Sequence, residues 1–243
     1  RDLWPELPKA LGMRNPFWLW GMSALEWLSY HCADACIGLS PGICVGIKKR
    51  SQINKPIAMI PNGCDLEIFK PSLRDNLLLE GVKPTDKVVI FTGAHGVANG
   101  LDAILDAAAV LKDMGRDDIV LVFVGDGKVK PHLMERARKE QLDNCKFYAP
   151  MPKTELNKLV ASADVGLMVL ANVPAFYYGT SPNKFFDYIS SGLPVLNNYP
   201  GWLADMIKEN HLGVVVTPND AKAFAVGLIS LLDNEDYRVS CGK

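Results

Sequence analysis

Between residues 87 and 217 the chain alternates apolar runs of strand length with segments of helical periodicity, and this alternation constrains the fold most tightly. The runs are KVVIFTG (87–93), DIVLVFVG (118–125), CKFYAP (145–150), DVGLMVL (164–170), LPVLNN (193–198) and LGVVVTP (212–218). They are rich in Val and Ile and do not alternate in polarity, the pattern of parallel strands covered on both faces. Between them, Leu101, Ile104, Leu105, Ala108 and Leu111 form one apolar stripe, and Leu156, Leu159, Val160 and Ala163 form another. Strand–helix units of this length need right-handed crossovers, which predicts an α/β fold with a doubly wound parallel sheet.

Residues 1–70 read differently. An aromatic-rich helical segment, NPFWLWGMSALEWLSY (15–30), precedes a short strand; KPIAMIPNGCDLEIF (55–69) reads as a second strand and a turn; RDNLLLEGVKPTDK (74–87) reads as a short helix and a polar linker. A net charge of −1 over 243 residues argues against nucleic acid as a partner, because phosphate-backbone binding draws on a basic excess. The six cysteines form no CxxC pair, and no His is spaced to complete a zinc site. Cys32 and Cys36 lie four apart in the predicted helical region, which suggests a buried thiol pair and a reducing, cytoplasmic setting. No signal peptide and no bilayer-length apolar run is present. The first residue is Arg1 and the last segment reads as an uncapped helix, so both ends are expected to be cut from a longer chain.

In an open parallel sheet, ligands bind beyond the carboxyl ends of the strands. Those positions are GAHGVANG (93–100), GDGKVK (125–130), APMP (149–152), ANVPAFYYGTSPNK (171–184) and NNYPGW (197–202). The helix expected after Thr180 has Ser181 as its N-cap, Pro182 at its first position and Gly192 past its end. Its first turn carries Lys184 where the macrodipole favours an acid, so a bound phosphate would resolve the mismatch; a lysine pointing into solvent is the alternative. Asn183 and Asp187 fall at i and i+4 on one face of that helix, an amide and a carboxylate suited to sugar hydroxyls. His95, between glycines after the first strand, is the histidine best placed for chemistry or phosphate contact; His132 and His211 read as surface helix residues and His31 as a packed one. GAHGVANG is not a Walker loop, GDGKVK lacks the third glycine of a dinucleotide fingerprint, and no Asp-x-Asp pair closes a strand, so neither NAD nor a metal is expected.

The segments ADACIGLSPGI, IAMIPNGCDLEIFKP, VVIFTGAHGVANGLDAILDAA, LVFVGDG, FYAPMPKTELNKLVASADVGLMVL and SPNKFFDYISSGLPVL occur in the order found in retaining glycosyltransferases of family 4, and nearly the whole chain resembles that family. Within it, DLWPE and SPNK resemble the bacterial L-fucosamine transferase-like subgroup of O-antigen and capsule assembly. The resemblance implies the GT-B architecture, with 1–60 the end of an acceptor-binding domain, 61–86 a hinge and linker, and 87–243 a donor-binding domain. It implies donor-diphosphate contacts from Lys184, Ser181, Thr180, His95, Gly96 and Lys128, ribose contact from Asp187, base contact from Tyr148, Ala149 and Met151, and donor-sugar contact from Gly179 and Asn183. The family's catalytic histidine would lie in the rest of the acceptor domain. Two departures stand out: the first of the family's two glutamates falls at Gly179, and its Arg and Lys in the loop after the first strand fall at Ala94 and Asn99.

The resulting expectation is the donor half of a metal-independent, cofactor-free, retaining transferase, acting on a UDP-linked sugar and a lipid-linked or glycan acceptor on the cytoplasmic face of the inner membrane. A sugar-nucleotide epimerase of similar build and a non-catalytic nucleotide-sugar sensor are the rival readings. The aromatic 15–30 segment could lie in a membrane interface, as a peripheral contact, or pack against further protein. The lack of Lys or Arg between Arg14 and Lys48 favours packing.

Overall fold

A computed structural model describes residues 3–10, 12–51, 55–71 and 79–242, so the helix expected from residue 74 falls partly outside the described residues. The chain forms two compact units, one from 1–62, 173–182 and 201–203, the other from 63–172, 183–200 and 204–243.

In the first unit, α1 (Glu6–Ala10) and α2 (Pro16–Cys32) precede β1 (Cys36–Gly38), α3 (Pro41–Ser51) and β2 (Ile57–Met59), with β1 and β2 paired in parallel. The start of α2 is set by Asn15, whose side chain accepts from the N–H groups of Phe17 and Trp18, with Pro16 at the first position. Its end is set by Lys55, whose ammonium donates to the carbonyls of Tyr30, His31 and Ala33. The sequence PGICVGIKKRS has two glycines and β-branched residues, which weigh against the helix α3. It forms because Ile43 and Ile47 bury with Cys36 against Leu3, Tyr30 and Ile57. Cys32 ends α2 and is exposed whereas Cys36 is buried in β1, so the two are not a buried pair on one helix.

The second unit is built on six parallel strands, β3 (Lys87–Thr92), β4 (Ile119–Val124), β5 (Cys145–Tyr148), β6 (Val165–Met168), β7 (Val195–Asn197) and β8 (Gly213–Val215). Their order is β5-β4-β3-β6-β7-β8, which is the expected doubly wound sheet, with its reversal between β3 and β6. The intervening helices are α4 (Asp102–Asp113), α5 (Lys130–Lys139), α6 (Lys153–Ser162), α8 (Asn183–Ser190), most of α9 (Trp202–Glu209), α10 (Ala221–Asp233) and α11 (Glu235–Cys241), while α7 (Pro174–Gly179) lies in a segment of the first unit. The predicted stripe of Leu101, Ile104, Leu105, Ala108 and Leu111 is buried against Val89, Phe91, Leu121 and Phe123 on one face of the sheet. His132 lies on α5 beside Asp102, but His211 is in the turn after α9 at φ 54° rather than in a helix.

The carboxyl ends of β3 and β4 meet backbone to backbone. The Gly93 N–H donates to Val124 O at 2.9 Å and the His95 N–H to Asp126 O at 2.8 Å. At Gly125, φ is +147° and a Cβ would lie 1.9 Å from Gly93 O. Only glycine fits this junction. Gly115 also has positive φ, +69°, but faces open space. Chemical denaturation should therefore show Gly125→Ala losing roughly 3 kcal/mol or more and Gly115→Ala about 1 kcal/mol. Equal losses would mean that backbone conformation alone, and not the close approach, demands glycine at 125.

Candidate functional site

The site begins with how α8 is held on the sheet. Phe185, Asp187 and Tyr188 are its buried residues. The Tyr188 ring lies against Gly166 in β6, where a Cβ would come within 2.5 Å of it, and the Thr92 N–H donates to the Tyr188 hydroxyl at 2.9 Å. Gly166 is thus the gap in β6 that admits the ring, and α8 is fixed across the β3–β6 reversal. At its far end Gly192 takes φ +72°, the left-handed stop expected there. At its near end the structure departs from expectation. The helix starts at Asn183, and the Ser181 hydroxyl accepts the Asn62 N–H at 3.1 Å instead of capping the helix.

Lys184 therefore lies at the top of β3 and not in solvent. Its Nζ is 3.6 Å from the centroid of the Phe91 ring, and a Cβ on Gly93 would lie 3.5 Å from it. No carboxylate pairs with it among the described residues, and desolvation lowers its pKa to about 7. Beside it, a cavity of about 300 Å³ is lined by Gly93, Ala94, Gly125, Asp126, Met151 and Leu156, at the carboxyl ends of β3, β4 and β5. Asp187 is also buried, and its Oδ1 has no hydrogen-bond partner among the described residues. Burial raises its pKa and the nearby Lys153 opposes the rise. Lys153, in the first turn of α6, went unnoticed in the sequence; its spacing from Asp187 gives no hint of their approach.

The loop after β3 is closed on itself. Asn99 donates through Nδ2 to Ala94 O at 2.6 Å, so the two positions expected to carry the family's cations are joined by a hydrogen bond. His95 is fully buried, with Phe91 and Phe123 6.0 and 6.2 Å away between ring centroids, and neither ring nitrogen has a partner among the described residues. Its pKa is lowered to about 4, chiefly by burial and then by Lys130. It is neutral at pH 7 and brings no positive charge to the loop. Gly96 begins the short 3-10 turn Val97–Asn99. Lys128 is exposed without a partner among the described residues, whereas Lys130 donates to Gly125 O at 2.8 Å and Tyr148 O at 2.7 Å and ties β4 to β5.

Tyr148 uses its hydroxyl on Glu80 O at 2.7 Å and its carbonyl on Lys130. Ala149 is exposed just beyond it, and Met151 lines the cavity. Asn183 is exposed at the start of α8. Gly179, Thr180 and Ser181 belong to the first unit. The Thr180 hydroxyl donates to Phe176 O, its carbonyl accepts from Trp202 Nε1 at 2.7 Å, and a Cβ on Gly179 would meet Ile43 Cδ1 at 3.0 Å. The hydroxyls of Thr180 and Ser181 are thus already engaged within that unit. His31 is half-exposed; it packs on its own helix, with its ring stacked on Trp27 at 3.9 Å between centroids and a ring nitrogen 2.8 Å from Trp27 O. No group of three metal-ligating side chains converges among the described residues.

Residues 79–243, more than half of the chain, match the family described as "Glycosyl transferases group 1". The chain belongs to that family. Its α/β unit with six parallel strands matches the Rossmann-like C-terminal domains of GT-B glycosyltransferases. Curated relatives of this group 1 chain include the D-inositol 3-phosphate glycosyltransferase of Corynebacterium glutamicum, 26% identical over 205 residues, covering 77% of this chain and 46% of the relative. Another is the probable glycosyltransferase WbjE of Pseudomonas aeruginosa, 24% identical over 200 residues, covering 81% and 49%. The chain spans about half the length of these relatives. Among solved structures, sucrose-phosphate synthase from Thermosynechococcus elongatus superposes with a TM-score of 0.75 at 20% identity, covering 92% of this chain and 55% of that one. Anabaena HepE in complex with UDP and glucose gives 0.73 at 17% identity, covering 89% and 58%. WaaG, a glycosyltransferase involved in lipopolysaccharide biosynthesis, gives 0.71 at 16% identity, covering all of this chain and 66% of WaaG.

Burial of His95 makes a pH prediction for the group 1 chain. Its folded pKa lies below the ordinary 6.5, so the unfolded chain takes up the proton first and stability drains away as pH falls from 6.5 toward 4. His95→Leu should flatten the stability profile over that window in denaturant titrations at successive pH values. An unchanged slope would place the imidazole in contact with water.

Proposed function

We propose that the chain is the donor-binding half of a retaining, metal-independent glycosyltransferase that uses a UDP-linked sugar in surface polysaccharide synthesis, with a lipid-linked or glycan acceptor. The observation that carries this reading is the Lys184 ammonium, desolvated at the carboxyl edge of the sheet with no carboxylate beside it. A desolvated cation without a counter-ion is costly, and a diphosphate in the adjoining cavity would supply one. Asp187, with a buried unpartnered oxygen, would accept the ribose hydroxyls, and the backbone of Ala149 and Met151 would hold the base. Lys128, exposed and unpaired, can add a second cation and the Gly96 N–H a donor toward the diphosphate, while buried His95 shapes the loop beneath them. Asn183 is left to face the donor sugar. The HepE complex with UDP and the role named for WaaG support the donor class and the pathway setting. DLWPE and SPNK support the L-fucosamine transferase-like subgroup.

In this reading the chain's residues act on the leaving group. Charge builds on the diphosphate as the C1–O bond breaks, and Lys184 beside closely packed loop backbone is already positioned to meet it. The desolvation that lowers its pKa also makes it respond to an anion, which restores the protonated form.

Calorimetric titration tests these roles. Lys184→Met should weaken UDP binding by about 1.5–3 kcal/mol, the worth of a charge-assisted hydrogen bond, and leave uridine nearly unaffected. Equal losses for both ligands would remove Lys184 from the phosphates. For a UDP-sugar, whose diphosphate does not titrate near neutrality, wild-type affinity should fall by up to ~tenfold per pH unit above 7, a dependence that Lys184→Met abolishes.

Asp187→Ala should lower affinity for uridine and UDP alike, and Asp187→Asn should lower it less because the amide still hydrogen-bonds. EDTA should leave UDP affinity unchanged, since Lys184 takes the place of a metal. A drop of more than about tenfold, ~1.4 kcal/mol, would overturn metal independence.

A further inference from the structure

Lys184 reaches its position from the far side of β3. Successive side chains of a strand point to opposite faces of its sheet. The Thr92 hydroxyl meets the Tyr188 hydroxyl of α8 at 3.0 Å, whereas Phe91 packs with Val89 and the apolar stripe of α4. Lys184 starts on α8, yet its Nζ lies 3.6 Å from the centroid of the Phe91 ring. It arrives there past Gly93, where a Cβ would be 3.5 Å from Nζ. The side chain thus spans the carboxyl end of β3, and the face of one phenylalanine receives its charge. An aromatic face is the negative pole of the ring, and it attracts a cation most strongly where water is excluded.

That ring is itself held. Phe91, Phe123 and Phe147 are register partners across β3, β4 and β5. The His95 ring links the first two, and Phe123 stacks on Phe147 at 4.5 Å between centroids. Phe91, His95 and Phe123 are fully buried. The titratable groups on the surrounding elements are His95 after β3, Asp126 and Lys130 after β4, Tyr148 at the end of β5, Lys153 at the head of α6, and Asp187 and Tyr188 on α8 itself. None of them bonds to Lys184, which has no hydrogen bond or ion pair among the described residues. Asp126 accepts the Gly127 N–H at 2.8 Å, and Lys130 is engaged with the carbonyls of Gly125 and Tyr148.

We propose that Phe91 is a positioning residue of this site: in place of a counter-ion, its ring holds the Lys184 ammonium over the carboxyl end of β3, where the diphosphate of the donor would meet it. This deepens the nucleotide-sugar reading and rests on it. The ring favours the protonated amine and so opposes the desolvation that disfavours it. A carboxylate at the same place would hold the lysine too, but it would cancel the charge that an incoming anion needs. An uncharged seat leaves that charge available.

Phe91→Leu would empty space in a fully buried site, so the discriminating variant changes the ring's charge distribution at nearly constant shape. Trifluorophenylalanine at position 91 alone weakens the negative face of the ring. NMR of isotope-labelled lysines, with Lys184 assigned by its absence from Lys184→Met, reads the ammonium in the free chain. Its titration midpoint, about 7 in wild type, should fall by about half a pH unit on fluorination. In calorimetry, affinity for UDP-glucose should then drop about threefold at about pH 8 and barely change at about pH 6. In the Lys184→Met background fluorination should have no effect, and uridine affinity should stay constant throughout. An unmoved midpoint, or a moved midpoint without the loss at the higher pH, would overturn the proposal. So would an equal loss with and without Lys184, which would reduce the ring to packing. If Lys184→Met itself binds UDP-glucose as wild type does, the diphosphate role of Lys184 fails, and the positioning role falls with it even where the midpoint has moved.

Discussion

The seating of one tyrosine organises the candidate site. Tyr188 presses its ring into the space left by Gly166 and engages Thr92 through its hydroxyl, so α8 is pinned across the reversal between β3 and β6. Lys184 lies one turn before Tyr188 and Asp187 immediately before it, so their positions follow from the same contact. A helix held only by its apolar stripe can slide or rotate by fractions of an ångström. A buried ring in a glycine gap, with a hydrogen bond to main chain, resists both.

Around this anchor the local rules of protein interiors are broken together. A lysine without a counter-ion, a carboxylate oxygen without a donor and a histidine with two idle nitrogens all lie at or near the carboxyl edge of the same sheet. Each is destabilising alone, and their clustering marks this edge as the candidate functional site. The surrounding loops are correspondingly stiff: Gly125 sits against Gly93, Asn99 holds Ala94, and Lys130 bridges β4 and β5. The free energy lost at the polar groups is sustained by the apolar core beneath, where Phe91, Phe123 and the α4 stripe are buried.

The two units also divide the chain's charge and hydrophobicity. The sheet-bearing unit hides its apolar residues and is net acidic. The other has a core of a few residues, an outward aromatic helix face and the basic excess.

All six strands of the sheet, their parallel sense and the α4 stripe were legible from residue order alone, because strands buried on both faces must be apolar at every position and amphipathic helices must repeat every 3.6. The reversed charge at the start of α8, with Lys184 and no acid in the first turn, was also plain from residue order. The helices α3 and α7 were not, since glycine-rich and aromatic segments gain helical structure only from what they pack against. Nor were the fates of polar side chains: Ser181 turned to Asn62, Asn99 to Ala94, His95 inward among aromatic rings, and Lys153 toward Asp187. Sequence periodicity reports which face of an element meets a core. Protonation and partnership depend on distances across elements far apart in the chain, and only the tertiary structure sets those.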